Sequence, residues 1–413
     1  MHLFINALAA SAGSGPTYVR NVVPHLAELS DIRSTVMAAR GLISELGEWG
    51  NVSLVAEEEF QRGPAARFWR EQWLLPKLIS RHGADALVSA GNFALFNSPV
   101  PQILLTGNSL YTSADFARDV LSRRNYRLWL DTRVKGWLAK QSVRSADWTV
   151  TPSQAFAAEI KRWFRGRPVA ISAIPHGFDR EIFFAEGKPL PSGVEQRLAG
   201  GGGSLRLLFV SYYNYFRNFE TLVRAIPLIK GRLGGRSVKL VLTCELRPKP
   251  EWGPYNAADI ERLVGRLGVA TDIIELGLVP YRFLHQVYRA CDIYVTPSYA
   301  ESFAHPLVEA MASGLPIVAS DLTVHREVCR DAALYFPRFS SEALAERVTD
   351  IATSPELTGK LSRRGLQRSS DFSWQKHVAD LITLAETLVD GRTVHLEQSN
   401  KESRVNNELV PRA

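Results

Sequence analysis

The sequence predicts an α/β protein made of two doubly wound, Rossmann-like domains facing a central cleft. Strand-like and helix-like segments alternate through the first half. A stretch rich in Pro and Gly, GKPLPSGVEQRLAGGGGS at 187–204, interrupts them, and the same alternation then restarts. Such alternation builds a parallel sheet with helices on both faces. A chain of 413 residues has room for two such units.

In the first unit, 1–186, HLFINAL reads as a strand that enters a Gly turn at Gly13 and Gly15, and Pro16 opens the helix PTYVRNVVPHLAEL. ADALVSA, PQILLTG, DWTVTPS and PVAISAIPHG read as further strands. The segment 187–204 has no periodicity and reads as a linker. In the second unit, 205–370, the strands are LRLLFVS, VKLVLTC, DIIELG, DIYVTPS and LPIVAS. FETLVRAIPLIKGRL, DIERLVGRLG, LHQVYRAC, PLVEAMAS and SEALAERVTDIA lie between and after them as helices. FSWQKHVADLITLAETLVD, within 371–391, forms a last amphipathic helix expected to pack back toward the first domain, and the polar segment 392–413 is expected to be disordered.

Composition excludes several classes. Three widely separated cysteines give neither a disulfide framework nor a zinc spacing, which favours a reducing compartment. No apolar run approaches the ~20 residues of a membrane span. The first residues lack a basic leader and read as a strand rather than a signal peptide. A net charge of +7 permits attraction to phosphate or acidic lipid without choosing between them. No nucleic-acid-binding module is recognisable.

ESFAHPLVEA, 301–310, holds Glu301, His305 and Glu309 at four-residue intervals. One continuous helix would align them as a metal site, but Pro306 breaks that helix and biases His305 away from it. The spacing instead predicts a loop through Glu301, a helix starting at Pro306 with Glu309 in its first turn, and a stop at Gly314. The unpaired N–H groups of that first turn are suited to a phosphate. Glu309 either complements the helix dipole or accepts two hydroxyls of a vicinal diol; the residues alone leave both open.

The run AESFAHPLVEAMASGLPIVASD resembles the E-x7-E region of the family-4 retaining glycosyltransferases, whose wording is close to E-G-F-G-L-P-x-x-E-A-M-A-x-G-x-P-V-V. The Gly turn, TPS at 151–153, PHGFD at 175–179, FRN at 216–218, ACDIYVTPS and FSW at 372–374 follow the same order. The resemblance spans most of residues 1–390 and implies the GT-B fold. It also implies transfer of a sugar from a nucleoside-diphosphate donor to an acceptor hydroxyl with retention.

By that resemblance Glu309 accepts the ribose hydroxyls and Glu301 those of the donor sugar. Ser302 and the backbone of Phe303, Ala304 and His305 line the phosphate and sugar pocket. Leu278 and Val279 flank the nucleobase, largely through their backbone, and Gly13, Ser14 and Gly15 approach the donor phosphates. A family Lys that neutralises the diphosphate falls on Arg217, which keeps the charge. A family Arg falls on Tyr212, which does not; losing one preorganised donor from such a site costs about 3 kcal/mol of barrier. His305 is then a candidate substitute cation. The family's first-domain His is absent, and Asn108 stands at the corresponding turn. With no protein nucleophile to assign, the resemblance implies a front-face route in which the leaving phosphate helps to deprotonate the acceptor. It implies no metal and no cofactor beyond the nucleotide sugar.

RFWREQWLLPKL (67–78) and RRNYRLWLDTRVKGWLAKQSVR (123–144) are basic and rich in Trp. They read either as a peripheral binding face for acidic membrane or as solvated faces over an aromatic core. Three expectations result: an enzyme of cell-surface polysaccharide or glycolipid assembly; a cytosolic glycosyltransferase acting on a small-molecule acceptor; or a non-catalytic nucleotide-sugar-binding protein.

Overall fold

A computed structural model of the protein describes residues 1–9, 14–56, 63–185, 189–199, 203–246 and 254–408, without the side chains of Ser14, Pro64 and 392–408. The first domain is a seven-stranded parallel sheet in the order β3-β2-β1-β4-β5-β6-β7. Its strands are β1 His2–Asn6, β2 Arg33–Met37, β3 Val52–Val55, β4 Ala86–Ala90, β5 Gln102–Leu105, β6 Trp148–Thr151 and β7 Ile171–Ala173. The second is a six-stranded parallel sheet, β10-β9-β8-β11-β12-β13. It is built from β8 Leu205–Phe209, β9 Val238–Leu242, β10 Ile273–Glu275, β11 Ile293–Thr296, β12 Ile317–Ser320 and β13 Ala333–Phe336.

Helices cover both faces, so the central strands are buried on both sides: every residue of β1, β11 and β12 is buried. In each sheet the strand order reverses once, between β1 and β4 and between β8 and β11. Loops leaving the carboxyl ends of such neighbours diverge and leave a crevice, which is where ligands of open α/β sheets bind.

The chain departs from the sequence reading in several places. β2, β3 and β13 are extra strands; RSTVM and VSLV are short and interrupted by polar residues, which hides them. The middle of the 187–204 segment is a helix, Ser192–Ala199, because Val194 and Leu198 bury against the second domain. The last helix, Trp374–Glu408, keeps its backbone past 392; the rest of the segment expected to be disordered, 409–413, lies outside the described residues.

The two domains exchange elements. Phe116, Val120 and Leu128 of the first domain belong to the apolar cluster that contains Leu207 and Leu240 of the second. Conversely Trp374, Val378, Leu381 and Ala385 of the last helix join the first-domain cluster of Leu3, Val19 and Ile103. Where the chain first crosses, in PHGFD, Gly177 lies against the backbone of Trp374, whose nitrogen stands 2.0 Å from where a Cβ would sit. Phe178 N–H donates to the Phe372 carbonyl at the same crossing.

Gly177→Ala therefore forces two backbones apart, and urea unfolding of the variant should show a loss of about 1–3 kcal/mol. An unchanged midpoint and slope would mean that this contact is not required.

Candidate active site

Because β8 and β11 are neighbours, the loops that follow them share the crevice. After β8 a 3-10 turn, Tyr215–Arg217, carries the basic residue. The Asn214 side chain accepts from Arg217 N–H at 3.1 Å and fixes that turn. Asn218 follows in the left-handed region at φ 54°, which Asn tolerates better than most residues. Its amide donates to the Pro297 carbonyl at 3.1 Å and the Arg338 carbonyl at 2.7 Å, tying this loop to those after β11 and β13. Arg217 thereby meets Glu301 in an ion pair, and its Nη1 also reaches Ser298 Oγ at 3.3 Å. Burial pulls the guanidinium down to about 10, so it remains a cation at neutral pH.

The loop from Glu301 ends at Ala304, which sits in the left-handed region at φ 68° where the resembling wording has Gly. That backbone is unfavourable for a residue with a Cβ, and it turns the chain into the helix His305–Ala312. Phe303 is buried beneath it, and the Ser302 carbonyl accepts from Ser153 Oγ of the first domain at 2.7 Å. Ser153 also caps the helix Gln154–Arg162, which accounts for the TPS spacing.

The helix begins one residue earlier than the sequence predicts, so Glu309 lies in its second turn rather than its first. The helix-dipole alternative loses force, since that field fades within the first turn. Glu309 is buried, accepts from Tyr288 Oη at 2.8 Å, and its pKa is pushed up to about 7 by burial. Nothing near it in the sequence points to Tyr288 as its partner.

His305 is not a substitute cation. It is half-buried beside His176 and Trp374, with ring centroids 4.9 Å and 6.1 Å away, and desolvation lowers its pKa to about 4. A neutral imidazole can still donate or accept a proton, and His305 Nε2 has no protein partner. His377 completes the column: its Nε2 is 3.0 Å from Tyr18 Oη and its Nδ1 is 2.9 Å from the Pro175 carbonyl. The sequence reading missed His176, His377 and Tyr18 as neighbours of this site, although PHG and FSW flag the segments that bring two of them there.

Tyr212 is exposed and supplies no charge. Leu278 is exposed at the loop after β10, whereas Val279 packs into the core, so only its backbone is free to face a base. Gly13 lies outside the described residues, and Ser14 and Gly15 start the helix Ser14–Ala27, whose Tyr18 reaches the histidine column. Asn108 caps a 3-10 turn by accepting from Leu110 N–H at 3.1 Å. The preceding Gly107 has the Ser302 hydroxyl 3.7 Å from where its Cβ would be, so this turn faces the loop after β11 across the cleft. Among the described residues no group of His, Cys, Asp and Glu is arranged to hold a metal ion.

A cavity of ≈ 410 Å³ opens between the domains beside Glu301. Tyr299, Ala300 and Glu301 form one wall, and Thr112, Glu159, Arg162 and Trp163 of the first domain form the other. The sequence reading named none of these first-domain residues.

Comparison with known proteins places two family models end to end on the chain. Glycosyltransferase Family 4 matches residues 15–182 and Glycosyl transferases group 1 matches 197–368. A D-inositol 3-phosphate glycosyltransferase of Stackebrandtia nassauensis is 26% identical over 66% of this chain and 61% of its own length. One of Actinosynnema mirum is 25% identical over 81% of this chain and 72% of its own. This chain thus spans about three fifths of the length of the Stackebrandtia relative. Sucrose-phosphate synthase from Thermosynechococcus elongatus superposes with a TM-score of 0.69 at 17% identity, covering 95% of this chain and all of that one (100%). Anabaena HepE in complex with UDP and glucose gives 0.68 at 17% identity, covering 94% and 100%.

The Glu309 carboxyl makes a pH prediction. Its folded pKa lies above the unfolded value, so the folded state holds more protons between about pH 4.5 and 7, and its contribution to stability declines as pH rises through that window. Glu309→Gln removes this term. Relative to wild type it should gain on the order of 3 kcal/mol between pH 4.5 and pH 8 in chemical denaturation. A pH-independent difference would show that Glu309 titrates normally.

Proposed function

The chain belongs to the family-4 glycosyltransferases, and on that premise we propose that it is a retaining transferase that moves a sugar from a nucleoside-diphosphate donor to an acceptor hydroxyl. The observation that carries this is the meeting of Arg217 and Glu301 at the sheet's switch point, with Glu309 buried one helical step behind. A diphosphate entering the crevice takes over the Arg217 guanidinium and frees Glu301 for sugar hydroxyls. Glu309, held through one oxygen by Tyr288, keeps the other for a ribose. Arg217 stabilises negative charge on the departing diphosphate, and the neutral His305 offers a hydrogen bond where the resemblance has a hydrocarbon. The acceptor oxygen attacks on the face the diphosphate leaves, and a diphosphate oxygen takes its proton; no protein nucleophile and no metal take part.

A thermal-shift panel of UDP, GDP, ADP and their sugars should show one nucleotide raising the melting temperature by mass action. Arg217→Gln should lower kcat for transfer or donor hydrolysis about 100- to 1000-fold. Activity should survive EDTA. Nucleotide binding without hydrolysis or transfer to any acceptor would favour a binding protein instead, and loss with EDTA restored by one divalent ion would overturn the metal-free route.

One surface supports work at a membrane, with a lipid-linked or surface glycan as acceptor. Tyr126, Leu130, Val134 and Trp137 project in a row from the helix Tyr126–Ser145, and Trp69 and Trp73 project from Pro64–Arg81. Trp73 is 76% exposed and Trp137 60%, too much for a solvated face over a core. The two helices are linked by Phe68, Phe93 and Tyr111, whose rings contact in turn edge-on and tilted, with Tyr111 against Gly136. Arg127, Arg133 and Arg144 flank the row, and no helix among the described residues is long and apolar enough to cross a membrane. Aromatic side chains among cations suit the interface of an anionic bilayer. The full chain should sediment with phosphatidylglycerol vesicles at low salt and be released at high salt. Trp73→Glu with Trp137→Glu should abolish sedimentation; sedimentation unaffected by both would place the contact elsewhere.

A further inference from the structure

We infer that the cavity between Glu301 and the helix Gln154–Arg162 is the acceptor subsite and that it takes a neutral polyhydroxylated ring, a hexopyranoside or cyclitol without a phosphate. The inference rests on the transferase reading and adds the acceptor's chemical class. Glu301 marks the donor side of the cavity. Opposite it, Thr112 Oγ1 donates to Glu159 Oε2 at 2.9 Å, which orients the carboxylate and leaves its second oxygen as an acceptor for a hydroxyl. Trp163, half-buried and packed on the Phe156 and Phe164 cluster, gives the apolar face against which a sugar ring's C–H groups can lie.

The charges argue against a phosphate. Three guanidinium groups line the cavity, Arg118, Arg162 and Arg338, and three carboxylates, Asp115, Glu159 and Glu301, line it with them. Arg338 Nε holds Asp115 at 2.9 Å and Arg118 holds its other oxygen at 2.5 Å. Arg162 and Arg338 both act electrostatically on Glu159. A phosphate monoester needs cations in excess, best as free bidentate forks; here it would have to break existing pairs and stand beside three negative groups. Hydroxyls, in contrast, can donate to these carboxylates and accept from the guanidinium groups without disturbing their balance. The phosphorylated acceptor in the names of the curated relatives is thus not what this cavity fits.

Saturation-transfer NMR on the full chain tests this, in the presence of whichever nucleoside diphosphate raises its melting temperature. The neutral probes are methyl gluco-, galacto- and mannopyranosides and myo-inositol; the charged probes are glucose 6-phosphate and inositol 3-phosphate. At least one neutral ring should bind about tenfold more tightly than either phosphate. Glu159→Gln and Trp163→Ala should each weaken it at least about tenfold while leaving the nucleotide-induced shift unchanged. Should Trp163→Ala not fold, Thr112→Val, which removes the hydroxyl behind Glu159, reads the same wall. Tighter binding of a sugar phosphate, no binding of any neutral ring, or variants that bind like wild type would overturn the inference. A wild-type protein with no nucleotide shift would instead sink the transferase reading, and neutral-ring binding measured without nucleotide would then judge the cavity separately.

Discussion

The backbone contact between Gly177 and Trp374 is the constraint on which the site depends. Each half of the molecule could close its own sheet, but the cleft needs the halves held at one spacing. The chain crosses between them at PHGFD and again at FSW, and the two crossings touch where only a hydrogen fits. The last helix packs into the first-domain core, and Phe116, Val120 and Leu128 pack into the second. Such an exchange couples domain packing to the geometry of the loop that carries Glu301.

The same crossing explains the unusual chemistry of the cleft wall. His176 precedes Gly177, and His377 lies one turn beyond Trp374, so closing the crossing stacks His176 on His305 and sets His377 edge-on to His176. Burial keeps all three imidazoles neutral, each with a pKa pulled below the usual range. The helix of Glu309 therefore starts beside a polar but uncharged cluster, and Arg217 supplies a full positive charge in the crevice.

Much of this was legible in the sequence. Pro306 alone showed that Glu301 and Glu309 do not share a helix face, and the strands with strong apolar runs emerged in order. What stayed hidden depends on contacts far apart in the chain. RSTVM and ALYF become strands because a neighbour supplies the ladder, not because of their own pattern. Tyr288 comes to Glu309, and Glu159 to Thr112, through packing that no spacing encodes. His305 illustrates the opposite error: its residue type suited the role of a substitute cation, but desolvation lowers its pKa to about 4 and removes the charge.

The Arg217–Glu301 pair makes the empty crevice self-neutralised. An anion that approaches must compete with a carboxylate already in place, and a bare phosphate offers nothing to the carboxylate it displaces. A nucleotide sugar offers hydroxyls to it. On the proposed transferase reading, Glu301 loses those hydroxyls once the sugar has departed and is again available to Arg217, so the residue that greets the donor would also help expel the spent nucleotide. In that proposed scheme the pair would act as a reset, returning the crevice to its resting state after each turnover.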